Sequence, residues 1–146
     1  MPETLAQRVI SAMLEEDRAT AMLGMRVVDI DEGACTMEMP IRADMLNGHG
    51  TCHGGLLFSL ADTTFAFACN SRNQRTVAAG AQIDFVLPAR EGDVIRASAS
   101  ERAAGRRLGV YDVTLTNQRG ETIALFRGRS CRIEGAVLPD APKPRA

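Results

Sequence analysis

Two features of this chain stand where chemistry would need them. Asp62 lies in the middle of the long apolar stretch GLLFSLADTTFAFACN, well past any helix first turn where a carboxylate would favour the helix dipole. An unpaired charge in apolar surroundings is costly, so such a group has either a partner or a task. Ser59 lies three residues before it and Thr63 one after, a short polar stripe on an otherwise dry segment. Those hydroxyls, or an arginine from a strand, could satisfy the carboxylate. Failing that, an acid in an apolar helix is the kind of anomaly that clusters at active sites.

The second feature is the glycine pair Gly54-Gly55, at the end of NGHGTCHGG and the start of the apolar stretch. The first amides of a helix have no intrahelical acceptor and carry partial positive charge. An N–H of Gly54 or Gly55 could therefore donate to a carbonyl oxygen that is gaining negative charge. The same glycines could equally serve only as a tight entry into a buried helix, and spacing alone leaves both readings open. If Gly54 starts the helix, Asp62 lies roughly 12 Å further along the axis. One subunit cannot easily aim both at one small group, whereas two subunits packed antiparallel can.

The same loop holds both histidines and one of the four cysteines. His49 and His53 are four apart, but Gly48 and Gly50 make a helix there unfavourable, and no glutamate follows His49. Cys52 is the only nearby thiol, so the spacing for zinc or for c-type haem is missing and no metal is expected. Cys52 beside His53 is read as a small buried thiol rather than a nucleophile with its base, because catalytic pairs are brought together by the fold.

The elements that must position these residues follow from periodicity. Leu5, Val9, Ile10, Met13 and Leu14 predict an amphipathic helix ending near Glu16, with Thr4 or Glu3 near its start. A short helical turn is expected over 19–23, stopped by Gly24. MRVVDID and ACTMEMPI alternate about Glu32-Gly33 as a β-hairpin. The apolar stretch from Leu56 to Asn70 is long enough for a buried helix. TVAAGAQIDFVL, DVIRASASERA, RLGVYDVTLTN and ETIALFRGRSCRI read as strands, the last two joined through Gln118-Arg119-Gly120. A helix that is apolar all round needs cover all round, which a strongly curved antiparallel sheet supplies. The expected fold is α+β, one domain over 1–135, with a flexible tail at 136–146.

Composition narrows the function classes. The 146 residues are 45% hydrophobic and 24% charged, with a net charge of −1. That leaves no basic field for nucleic acid or anionic lipid. Tryptophan is absent and there is one tyrosine, which weakens base stacking. No stretch is long enough to span a membrane and no signal peptide opens the chain, so the cytoplasm is the default and the cysteines are expected as free thiols.

With these residues in view, LNGHGTCHGGLLFSLADTTFAFACNS resembles the signature of hotdog-fold acyl-CoA thioesterases, in particular the PaaI branch of phenylacetic acid degradation. The likeness extends through LEEDRATAMLGMRVVDIDEG, IDFVLPAREGD and GVYDVTLTNQRGETIALFRG, almost the whole chain apart from its end. The resemblance implies a hotdog fold: a long helix wrapped by a five- or six-stranded antiparallel sheet. It also implies dimers joined sheet edge to sheet edge, paired into homotetramers. The activity implied is hydrolysis of an acyl-CoA thioester to carboxylate and free CoA, with no metal or other cofactor and with aromatic acyl groups such as phenylacetyl.

Residue by residue, the resemblance makes Asp62 the catalytic carboxylate, as general base or nucleophile, and the Gly54 amide the oxyanion donor. Asn47 becomes the side chain that orients water or acyl group, and His53 the residue near the thioester sulfur. Gly55 and Thr63 are expected beside the substrate. Arg106, Arg107 and Arg129, from two arginine-rich segments that also contain Arg102, Arg127 and Arg132, are candidates for the CoA phosphates. Where some relatives carry a serine or threonine on the strand after the helix, this chain has Ala78-Ala79-Gly80-Ala81, with Thr63 or Thr64 as possible substitutes. The competing readings are a hotdog hydratase or dehydratase and a non-catalytic acyl-CoA binding protein.

Overall fold

The computed structural model describes residues 2–141. Helix α1 spans Leu5–Glu16 and begins on a capping box. Thr4 Oγ1 accepts from the Gln7 N–H at 3.1 Å, and Gln7 Oε1 accepts from the Thr4 N–H at 2.9 Å, so two otherwise orphaned amides are satisfied. Helix α2, Arg18–Met22, is capped by Asp17 and ends at Gly24, whose φ of +68° is the left-handed turn that glycine adopts freely. Strands β1, Arg26–Asp31, and β2, Ala34–Pro40, form the expected hairpin. A short 3₁₀ turn at Ala43–Met45 leads to the central helix α3, Gly54–Asn70. Four strands follow: β3, Thr76–Phe85; β4, Val94–Ala104; β5, Leu108–Thr116; and β6, Thr122–Arg132.

All six strands join one antiparallel sheet in the order β1-β2-β4-β5-β6-β3. This is the hotdog arrangement that the sequence resemblance implied. Alternation decides which side chains face α3. Met37 and Met39 of β2, Ile95 and Ala97 of β4, and Tyr111, Val113 and Leu115 of β5 are buried against it. On the helix side, Leu57, Leu60, Ala61, Phe65 and Ala68 fill the concave face. The Phe65 ring packs 5.6 Å from Tyr111 and 5.8 Å from Phe126, centroid to centroid.

Gly128 on β6 is small because Phe65 lies on it. A Cβ there would stand 2.8 Å from two Phe65 ring atoms, both residues being buried. Gly128→Ala is expected to cost about 1–3 kcal/mol through overpacking, read from urea unfolding midpoints. An unchanged midpoint would mean that the ring has room to move.

The sheet does not cover α3 all round, contrary to the sequence expectation. It covers one side, and α1 lies against part of the rest. Gly55, Ser59, Asp62 and Ala66, spaced i, i+4, i+7, i+11, form a stripe that this chain leaves partly open. The topology explains this. The strand that follows α3 goes to the sheet edge, where β3 pairs with β6 alone and most of its residues are exposed.

Of the segment expected as a tail, 136–141 is described. Asn73 holds Leu138 by two bonds, accepting from its N–H at 2.7 Å and donating to its carbonyl at 3.0 Å. Val137 and Leu138 pack against the core. Residues 142–146 of the expected tail lie outside the described residues.

Candidate active site

The loop before α3 is a backbone device built on Asn47. Its Oδ1 accepts from the His49 N–H at 2.9 Å and the Thr51 N–H at 3.2 Å, while its own N–H donates to the Thr51 carbonyl at 2.8 Å. Gly50, at φ +79°, makes the reversal possible. Beyond the loop, the Cys52 N–H donates to the Ala89 carbonyl and the His53 N–H to the Met45 carbonyl, both at 2.8 Å. The chain is thus fixed on two sides just before Gly54. Asn47, expected to orient water or acyl group, has its carboxamide oxygen committed to the loop. Its Nδ2 donates to Thr51 Oγ1 at 3.1 Å, leaving one Nδ2 hydrogen without an acceptor among the described residues. His49 is exposed at the tip.

His53 is the N-cap of α3. Its Nδ1 accepts from the Gly55 N–H at 3.0 Å. In the neutral ring the proton therefore sits on Nε2, an outward-facing donor. This bond separates the two glycines that the sequence left equivalent. The Gly55 amide is already occupied, so Gly55 contributes no free donor to a ligand. The Gly54 N–H, by contrast, has no acceptor among the described residues. It lies at the positive end of a seventeen-residue helix.

Gly54 also lines a cavity of about 320 Å³ together with Asn47, Leu57, Phe85 and Leu87. Sequence reasoning did not single out Phe85 or Leu87. The available signal was the apolar run Phe85-Val86-Leu87, which breaks strand alternation just before Pro88. Cys52 lines the same cavity, and burial pushes its thiol up to about 11, so it is not a thiolate nucleophile at neutral pH.

Asp62 lies two turns below, half-buried, and its carboxyl makes no hydrogen bond or ion pair with any described residue. The hydroxyls that could have satisfied it are used elsewhere. Ser59 Oγ donates to the Gly55 carbonyl at 2.9 Å and Thr64 Oγ1 to the Leu60 carbonyl at 2.7 Å. Thr63, half-buried beside it, keeps its hydroxyl free of partners among the described residues. Burial raises the Asp62 carboxyl above the usual aspartate range, the direction that makes it a stronger base. Thr64 is buried with its proton engaged, so of the two threonines only Thr63 is available.

The candidate arginines are apart from Gly54 in this chain. Strand register places the Gly54–Phe85 end beside Ala124, whereas Arg106 and Arg107 sit in the β4–β5 turn beside Arg132, at the α3 C-terminal end. Both side chains are exposed and unpaired among the described residues. Arg129 lies on the outer face of β6, its guanidinium over Gly80. Arg127 is held by Asp112 through bonds of 2.7 and 2.9 Å, which leaves it less available to a phosphate. Among the described residues, no group of three or more His, Cys, Asp or Glu side chains could hold a metal ion.

Comparison with known proteins matches this arrangement. A family model described as the thioesterase superfamily aligns with residues 49–124, from the glycine loop into β6. The acyl-coenzyme A thioesterase PaaI of Escherichia coli (strain K12) is 48% identical over 130 residues, which cover 89% of this chain and 93% of that protein. A solved structure of the E. coli PaaI protein from the phenylacetic acid degradation operon superposes with a TM-score of 0.89 at 47% identity, covering 90% of this chain and 96% of that one. A variant of the phenylacetic acid degradation protein PaaI from Thermus thermophilus superposes with a TM-score of 0.77 at 36% identity, covering 80% and 100%.

Proposed function

The chain belongs to the thioesterase superfamily and is a PaaI-like acyl-CoA thioesterase, and from that premise we propose that it hydrolyses aromatic acyl-CoA esters of the phenylacetyl type, in phenylacetate catabolism. The observation that carries the site assignment is the half-buried Asp62 carboxyl, which has no hydrogen-bond or ion-pair partner among the described residues.

The working unit is a homodimer. The open stripe Gly55–Ser59–Asp62–Ala66 and the exposed edge strand β3 both call for cover. Twofold pairing would place Asp62 of one chain near Gly54 of the other. Each dimer then has two equal sites, and two dimers pair into a homotetramer working in the cytoplasm.

In each site the thioester carbonyl oxygen accepts from the Gly54 N–H. Asp62 removes a proton from water as the water oxygen bonds to the carbonyl carbon. Negative charge then builds on the carbonyl oxygen, where a positioned donor is worth about 3–4 kcal/mol. Collapse breaks the C–S bond. The sulfur leaves beside His53 Nε2–H and takes up the proton that Asp62 drew from water, giving free CoA and the ionised Asp62, while the carboxylic acid product releases its own proton to solvent as the carboxylate. Thr63 is assigned to hold the water, and Asn47 to offer its remaining Nδ2 hydrogen to the acyl group. Arg106, Arg107 and Arg129 are assigned to the CoA phosphates, which the site of the partner chain would bring within their reach. The chemistry needs no cofactor beyond the CoA of the substrate.

The test is thiol release from a panel of aryl- and alkyl-acetyl-CoA esters, followed with a colour reagent. Phenylacetyl- or hydroxyphenylacetyl-CoA is expected to give the highest kcat/KM. A clear preference for straight-chain esters would refute the aromatic assignment, and turnover by a purified monomer would refute the shared site.

A further inference from the structure

We propose that Phe85 is the specificity residue of this site: its ring walls the cavity over the Gly54 amide and stacks on the flat acyl end of the substrate. The proposal rests on the reading of Gly54 as the donor to the thioester oxygen. Phe85 ends β3, and its register opposite Ala124 turns it toward the helix side of the sheet. There it meets not the core but the first residue of α3. A Cβ on Gly54 would stand 2.9 Å from the Phe85 Cζ and 3.3 and 3.4 Å from its two Cε atoms. The glycine therefore makes room for this ring as well as for a ligand.

Phe85 is 54% exposed. Phe58, Phe65, Phe126 and Tyr111 pair with one another, whereas Phe85 joins no aromatic pair among the described residues. Its free face is thus available to a flat partner. The segment that carries it is held firmly: the N–H groups of Val86 and Leu87 both donate to the Ile123 carbonyl, at 2.8 and 3.2 Å. Leu57 and Leu87 add apolar surface to the same cavity. An aryl group in that space gains ring stacking in addition to burial, whereas a straight chain gains burial alone.

Phe85→Leu removes the ring and keeps an apolar side chain, and Phe85→Tyr keeps the ring. Relative to hexanoyl-CoA, Phe85→Leu is expected to lose about fivefold in kcat/KM for phenylacetyl-CoA, mostly in KM. Phe85→Tyr should retain the wild-type ratio. Phe85→Met repeats the test should leucine disturb the edge strand. Equal losses on the two esters, or a Tyr variant that behaves like Leu, would overturn the proposal. Calorimetric affinities for non-hydrolysable thioether analogues of both esters give the same comparison without turnover. Wild-type protein that binds the analogues with this discrimination but cleaves no ester would leave Phe85 assigned and sink the hydrolase reading instead.

Discussion

Asp62→Asn is expected to lower kcat by between about 10²-fold and 10⁴-fold, the range for removing a positioned general base. The substitution keeps the shape of the side chain and removes only its basicity. No intramolecular bond is lost with it, because the carboxyl has no partner within its chain among the described residues. The variant should also be more stable at neutral pH. Burial raises this carboxyl in the folded chain relative to the unfolded one. A group shifted in that direction penalises the fold wherever it is ionised. The penalty is absent below the ordinary aspartate range and complete above the raised value. Thermal melts at pH 7 should therefore place Asp62→Asn above wild type, and the gap should close on acidification. The wild-type kcat/KM profile should fall on its acid side at a pH above the ordinary aspartate range. Near-native turnover by pure Asp62→Asn protein would remove Asp62 from the mechanism.

The second large effect concerns the amide that the entry of α3 leaves free. Gly54→Pro deletes its N–H at the first helical position, where proline is tolerated. His53, at φ −60° and ψ 130°, already has the extended backbone required before a proline. The helix should therefore form, but the new ring atoms press on Phe85. Gly54→Ala is the control, since it adds the same Cβ and keeps the N–H. Gly54→Pro is expected to fall below Gly54→Ala by about 10²- to 10³-fold in kcat. Equal activities would mean that the oxyanion is held elsewhere.

The two variants together test the shared site. A hybrid of an Asp62→Asn chain with a Gly54→Pro chain has one site with both groups intact. Mixing the two inactive proteins under subunit exchange should restore roughly a quarter of wild-type turnover, as expected for twofold sites and random pairing. No recovery, with exchange demonstrated, would place both groups of each site in one chain.

Local signals made the elements legible. Thr4 or Glu3 marked the start of α1, Gly24 the end of α2, and Glu32-Gly33 the first hairpin, because capping and turn chemistry act over a few residues. Asp62 was legible for a different reason: a charge in an apolar run is anomalous wherever the run ends up. The 3₁₀ turn at Ala43–Met45 left no such pattern, and neither did the bulge between Ala78 and Gly80 on β3.

What the sequence determined by itself was the kind of parts and where the anomalous carboxylate sits: a dry helix interrupted by one carboxylate, a glycine entry to that helix, and four long alternating strands after it. Only the tertiary structure decided which glycine amide is free. The His53 imidazole takes one of two neighbours, and ring orientation is not encoded in spacing. Only the tertiary structure put β3 at the sheet edge and Phe85 over Gly54, because strand order depends on how the whole chain packs around α3. Short-range chemistry can be read along a chain; which surfaces meet across it is fixed by contacts between residues far apart in sequence.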